Sequence, residues 1–485
     1  MRYCFSTIVR LMPAVFFGLS LLIFSPEVLA KSSTASLSVD FSKNQTAEQQ
    51  TNLLRTSDGI SVFRQGDQAF FLASAQDIPV VNAFPFLTVA PVVEVQNYDP
   101  SLVKIQIRFS KDGLTWDPWL EATAFEDGIQ APTLFIGNLF YLDTTFTKFQ
   151  YMVLFSNSVQ SVTPVKVKNL RFDFFSPGQV QPLSPGLIYQ RPMPGNEGTA
   201  CSCPMPGVAT RTEWNCPDGQ NPSCPSPEFS ATTHLIVHHS AGSNTSTNWA
   251  ATVLSIWNFH VNTNGWCDIG YNYVIDPDGV IYEGRGGGAD VKGAHFCANN
   301  SGAMGVCMLG SFESSTPTSA ALESLRKLLA WKSCDSDLNP LISTFHASTG
   351  KNLPVISGHR DGCATACPGD AFYAIFPSLR VSVDTALSAC QGVSSLEDEF
   401  GLLGFRMYPN PGTEVVRVSW DQQTAVKGSV MLTNVQGSVL YQQNKTLTPG
   451  VSEHQIDVRG LASGLYVLHV QAGATTVRKQ LIVRH

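Results

Sequence analysis

The sequence predicts a multidomain chain: a β-sandwich, then an α/β domain with a mixed sheet flanked by helices, then a small all-β domain. Three observations carry that expectation. Apolar and polar residues alternate with period two before about residue 175 and again after residue 406. Between these regions, short wholly apolar runs alternate with segments of helical spacing, as in a layered α/β domain. All but one of the 12 cysteines fall between residues 201 and 390, so disulfides or metal would serve the middle domain. A length of 485 residues suits about three domains at ~100–200 residues each.

The chain opens MRYCFSTIVRLMPAVFFGLSLLIFSPEVLA. Arg2 and Arg10 precede a short apolar run over 12–24, and Val28-Leu29-Ala30 offers small residues for cleavage. Residues 1–30 are therefore expected to be a secretory signal, too short in their apolar part to stay in a bilayer. No later run is long enough to span one, so the mature protein is expected to be secreted or held at the cell surface, without stable membrane insertion. Charged residues make up 14% of the chain, low against the usual ~25%, and the net charge is −7. That balance gives no electrostatic footing for nucleic acid.

Residues 31–60 are rich in Ser, Thr, Gln and Asn and read as a flexible lead-in. Residues 61–175 read as the sandwich, of unknown role. Val103–Phe109 alternates strictly, and "SKDGLTWDPW" (110–119) places Asp-Gly between strands. Its aromatics read as core. Residues 176–206 are Pro/Gly-rich and read as a linker. In the middle domain, 207–390, Ser246 or Thr247 could cap a helix bearing Trp249, Val253, Trp257 and Val261, and Leu322, Leu325 and Leu329 mark another. The apolar runs His234–Val237, Tyr273–Ile275 and Gly305–Leu309 read as strands. A second linker, 391–405, leads to the all-β tail, 406–485.

Two segments carry the chemistry. "LIVHHS" (235–240) ends an apolar run in two histidines, and "GHRDGCATACPGD" (358–370) holds His359, Cys363 and Cys367. Two His and one Cys suit a catalytic zinc, which takes three protein ligands and keeps one position open. The same residues suit a nucleophile–base pair or a Cys363–Cys367 disulfide. Export permits disulfides, and loss of Cys4 with the signal leaves an odd eleven, which favours a non-disulfide role for at least one. Spacing alone leaves all three readings open.

A wider set of motifs lies in order along the domain: "ATRTEW" (209–214), "IVHHSAG" (236–242), "WNFHVNTNGWCDIGYNYVIDPDGVIYEGRG" (257–286), "GAHFCANNSGAMGVCMLGSF" (293–312) and "ISGHRDGCATACPG" (356–369). Together they resemble the peptidoglycan recognition proteins, which share a fold with zinc-dependent N-acetylmuramoyl-L-alanine amidases. The resemblance implies a Zn2+ ligated by His238, His359 and Cys367. It places Tyr271 beside the attacking water and Thr365 as a hydrogen-bond donor to the reacting carbonyl. It puts His295 in the substrate groove and leaves His239 as a packing neighbour. The other ten mature cysteines could then form five bridges, Cys363 in one of them. The implied reaction is cleavage between N-acetylmuramic acid and L-alanine, with peptidoglycan or muropeptides as partners. The alternative is a non-catalytic peptidoglycan-binding surface protein, though relatives of that kind typically lack a zinc ligand. "GRGGGADVKGAH" (284–295) departs from the family by lacking a Trp and running longer, so the resemblance assigns no stem-peptide preference. In the tail, "YPNP" (408–411), "NVQGSVLY" (434–441), "GLASGLYVLHV" (460–470) and "VRKQLIVRH" (477–485) resemble the sorting domain of type IX secretion, implying that machinery as a partner.

Overall fold

A computed structural model of the chain describes residues 32–43, 47–62, 69–79, 86–97, 99, 102–125, 133–142, 145–155, 165–188, 201, 203–221, 223–390, 402–422, 425–434, 438–448, 450–472 and 475–485. The expected signal, the centre of the first linker and most of the second lie outside them.

The amino-terminal strands form two antiparallel sheets, one of seven strands and one of six. Their facing residues, Phe71, Phe109, Phe149, Phe172 and Phe174 among them, make one core. The Asp-Gly stretch joins Val103–Ser110 to Leu120–Ala122 as a hairpin. The expected flexible lead-in is instead part of this core. Ser33–Asp40 pairs along its whole length with Lys166–Ser176, and Ala47–Thr51 pairs with Ala69–Ala73. Ala35, Leu37 and Val39 supply the inward alternation, and the Ser and Thr between them face out, which masked a strand behind a disordered composition.

The middle domain is built on a five-stranded mixed sheet. Its strands are β1 (His234–His239), β2 (Tyr273–Ile275), β3 (Ile281–Glu283), β4 (Ala303–Met308) and β5 (Ile356–Gly358). The spatial order is β3-β2-β4-β1-β5, parallel except for the β2–β3 pair. Helices α2 (Ser319–Asp335) and α3 (Phe376–Cys390) cover one face through Leu325, Leu328, Leu329, Leu379 and Val383. Helix α1 (Trp249–Asn258) covers the other. Cover on both faces explains why β1 and β4 are buried at every residue and read as continuous apolar runs. The cap of α1 is Asn248, whose side chain accepts from Ala251 N, rather than Ser246 or Thr247. Ser246 Oγ accepts from Asn248 N one step earlier. Beyond α1 the chain continues as a π-helical turn, Phe259–Thr263.

Four disulfides join Cys201–Cys334, Cys203–Cys390, Cys224–Cys267 and Cys297–Cys363. The first two fasten the end of the expected linker to α2 and α3, and Val180 near its start is buried against α1. Cys216 and Cys307 lie outside these bridges along with Cys367, so the described residues form four of the five bridges the sequence allowed. Both sit in the apolar cluster around Trp214 and Val274, where a thiol packs as a small hydrophobe.

The tail folds into sheets of three and four strands around Val416, Val418, Val430, Leu432, Leu468 and Leu481. Its first strand begins at Leu402, inside the expected second linker. Among the described residues, no helix is long and apolar enough to cross a membrane.

Candidate functional site

Strands β1 and β5 are parallel neighbours, so their carboxyl ends open on the same edge of the sheet. Ligand sites of open α/β sheets form at such ends. His238 is the fifth residue of β1, and His359 follows β5 directly. Their rings lie 4.5 Å apart between centroids. The next loop brings Cys367 back to them, with its Sγ 3.9 Å from His238 Nδ1. The donor atoms of His238, His359 and Cys367 all lie within 4.8 Å of one another, and all three residues are buried.

The donor set fits zinc. Zinc holds sulfur at about 2.3 Å and imidazole nitrogen at about 2.0 Å, so one ion can reach donors this close. Burial, together with His359 and His295 nearby, holds the His238 imidazole well below its ordinary pKa, in the neutral form a metal needs. His239 N donates to Cys367 Sγ at 3.3 Å, a contact that favours a sulfur carrying negative charge. Two other His/Cys groups come as close: Cys201, Cys203 and Cys334, and Cys297, His359 and Cys363. Every cysteine in those groups is disulfide-bonded, which removes its thiolate. Among the described residues, only the His238 group keeps all three donors. Cys363 is bonded to Cys297, so a Cys363–Cys367 bridge is excluded.

The remaining expected residues surround this cluster. The Tyr271 ring lies 5.2 Å from that of His238. Its segment is held from below by two arginines. Arg285 N donates to Tyr271 O at 2.8 Å, while the Arg285 side chain donates to the carbonyls of Ile269 and Lys292. Arg211 forms a fully buried ion pair with Asp268 at 3.1 Å. Thr365 is half-buried, and its Oγ1 accepts from Cys367 N at 2.8 Å. His239 turns away from the donors, accepting from Phe312 N at 3.3 Å, with burial and the Arg360 charge pushing it down to about 4.

His295 is fully buried, and its Nδ1 lies 3.0 Å from His238 Nε2. That contact directs His238 Nδ1 toward Cys367. Gly305 on β4 makes room for it, because a Cβ there would lie 2.5 Å from the His295 ring. Sequence reasoning missed Arg211, Asp268, Arg285 and His260. The "ATRTEW" and "WNFHVNTNGWCDIGYNYVIDPDGVIYEGRG" motifs contain all four, but nothing local marks these polar residues as buried.

Residues 228–370 match the family model described as N-acetylmuramoyl-L-alanine amidase, and residues 406–484 match that described as a secretion system C-terminal sorting domain. Peptidoglycan-recognition protein SC2 of Drosophila simulans is 32% identical over 165 residues, which are 33% of this chain and 80% of that protein. Peptidoglycan recognition protein 1 of Mus musculus is 30% identical over 184 residues, 37% of this chain and 91% of the relative. The N-acetylmuramoyl-L-alanine amidase of Homo sapiens is 37% identical over 127 residues, 26% of this chain and 20% of that enzyme. The crystal structure of Drosophila peptidoglycan recognition protein SD matches 35% of this chain and 92% of its own at 28% identity, with a TM-score of 0.29.

Proposed function

Since the chain belongs to the peptidoglycan recognition protein family and ends in a secretion-system sorting domain, we propose that it is an exported zinc amidase cutting the bond between N-acetylmuramic acid and L-alanine. The family joins peptidoglycan hydrolases with peptidoglycan binders. What favours the hydrolase is the intact His238, His359 and Cys367 set at the ends of two adjacent parallel strands.

A zinc ion held by these three residues would polarise the scissile carbonyl and acidify the attacking water. The protein supplies the rest. Tyr271 beside His238 orients that water and relays its proton to the leaving nitrogen. Thr365 donates its hydroxyl proton to the developing oxyanion, a contact worth about 3 kcal/mol when preorganised. His295 keeps His238 in the tautomer that presents Nδ1 to the metal. Disulfides across the middle domain suit an extracytoplasmic setting, and the tail suits export by the type IX machinery.

Metal analysis of the purified chain should find about one zinc, and Cys367→Ser should lose both metal and activity. Muropeptide digests should release stem peptides beginning with L-alanine. Retention of zinc by Cys367→Ser sinks the ligand assignment, and new reducing sugar ends would show a glycosidase. Zinc with tight peptidoglycan binding but no cleavage would establish the non-catalytic reading.

A further inference from the structure

Helix α1 is buried at all ten of its residues, on both of its faces. One face lies on the mixed sheet. The other is covered by the amino-terminal domain: Phe175, Val180, Leu87 and Leu139 cluster with Trp249, Val253 and Trp257. A helix apolar all round is stable in water only when both sides are covered. The contact continues past the helix. Ala90, Val92 and Ile136 project from the seven-stranded sheet away from its own core and are buried with Phe259 of the π-helical turn. Hydrogen bonds pin both ends: Asn248 Nδ2 donates to Val180 O at 2.7 Å, and Thr263 Oγ1 to Asp173 Oδ2 at 3.3 Å.

Phe125 stands at the end of this interface nearest the metal-binding cluster. Its ring lies 5.0 Å from Phe259, 5.5 Å from His260 and 5.9 Å from Trp266. The chain of rings goes on from there. His260 is buried, 4.7 Å from Trp266 and 5.6 Å from Tyr271. It is also bonded to the tyrosine's own segment, since Gly270 N donates to His260 Nδ1 at 3.1 Å. One side chain of the amino-terminal domain is thus two contacts from Tyr271.

We propose that the amino-terminal domain is an internal wall of the active site, with Phe125 a positioning residue that holds Tyr271 through His260 and Trp266. This rests on the reading of Tyr271 as the group that handles the proton. The domain then works by fixing the π-helical turn, a distortion often found at functional sites, and not as a tethered wall-binding module.

The test is a double-mutant cycle on the full chain with a soluble muropeptide. Phe125→Leu keeps apolar volume and removes the ring. It should lower kcat about 10-fold with KM and zinc content unchanged, since small misplacements of a reacting group are costly. Phe125→Tyr, which restores the ring, should recover at least half the rate. In a Tyr271→Phe background, Phe125→Leu should cost less than twofold, because groups acting as a unit are not additive. Equal fold-losses in both backgrounds, or no loss in either, would overturn the proposal while leaving the amidase reading intact. A Tyr271→Phe single variant at full rate would overturn the proposal together with the proton-handling role of Tyr271, while the amidase reading stands. Trp119→Ala is the opposing control: Trp119 lies on the other sheet, stacked on Arg108 at 4.4 Å. A raised KM in Trp119→Ala with Phe125→Leu silent would show a substrate-binding module in place of a wall.

Discussion

His238 and His295 share a hydrogen bond of 3.0 Å, and each end of it constrains the other. Partners of this kind tune a metal site by about 10–100-fold in affinity. His295→Ala should therefore weaken zinc binding by that factor, read by chelator competition, with the fold kept. Unchanged affinity would reduce His295 to a packing residue. Asp276 shows how burial writes a pH dependence into stability. It is fully buried and accepts from Val280 N at 2.9 Å and Tyr282 Oη at 2.7 Å. Burial outweighs both bonds and pushes its carboxyl from 3.8 up to about 6. A raised acid pKa means that the folded state holds the proton more tightly than the unfolded state. The Asp276 contribution to stability is therefore full below pH ~4 and is lost as pH rises to ~6, by roughly 3 kcal/mol at most. Denaturant titrations at pH 4 and pH 7 should show that loss in the wild type and much less of it in Asp276→Asn. Parallel curves for the two proteins would refute it.

At the scale of elements, the site depends on loops more than on the strands that present them. His359 and Cys367 sit on a segment packed against Phe296, closely enough that a Cβ on Gly362 would collide with the Phe296 ring. The neighbouring residues Cys297 and Ala298 take positive φ of 48° and 65°, a strained conformation for non-glycine residues. The Cys297–Cys363 bridge ties these two segments together across a sequence separation of 66 residues. A loop of that length gives a bridge worth roughly 4 kcal/mol. Replacing both cysteines by serine should cost about that much in denaturant unfolding and also loosen the proposed zinc site, whose candidate ligand His359 has its Nε2 3.6 Å from Cys297 Sγ. A cost below about 1 kcal/mol would show that the Phe296 packing holds the loops unaided.

At the scale of the whole molecule, the tail is set apart by its own core of Val416, Val430, Leu468 and Leu481. Among the described residues, none of the His238, His359 and Cys367 cluster lies within it. Deleting residues 402–485 should leave a fully active amidase that fails to reach the medium or the cell surface of its host. Normal surface levels of the truncated chain would reject the sorting role, and loss of peptidoglycan binding would reassign the tail as a binding domain. The amino-terminal domain differs in kind, since its removal would bare both Phe259 and the outer face of α1.

Much of the site was legible because its signals are local. His238 ends an apolar run and His359 and Cys367 share one short segment, so residue type and spacing raised them as candidates, while the ordered motifs and the family they resemble supplied their roles and that of Tyr271. The mixed sheet was legible too, since burial on both faces makes a strand apolar throughout, and that is visible in LIV or YVI alone. The sequence by itself thus determined the three domain classes and the candidate ligands. Its spacing did not separate zinc ligand from disulfide at Cys367, and tertiary structure removed the Cys363–Cys367 bridge by giving Cys363 to Cys297, 66 residues away. It hid the strand Ser33–Asp40, whose small alternating residues read as disorder until Lys166–Ser176 supplied the partner. It left His295 without a surface or an interior, and it concealed the seat of α1 between two domains. In each case the deciding contact is with a residue far along the chain. Burial and pairing free energies belong to both partners, so neither segment carries them in its own composition.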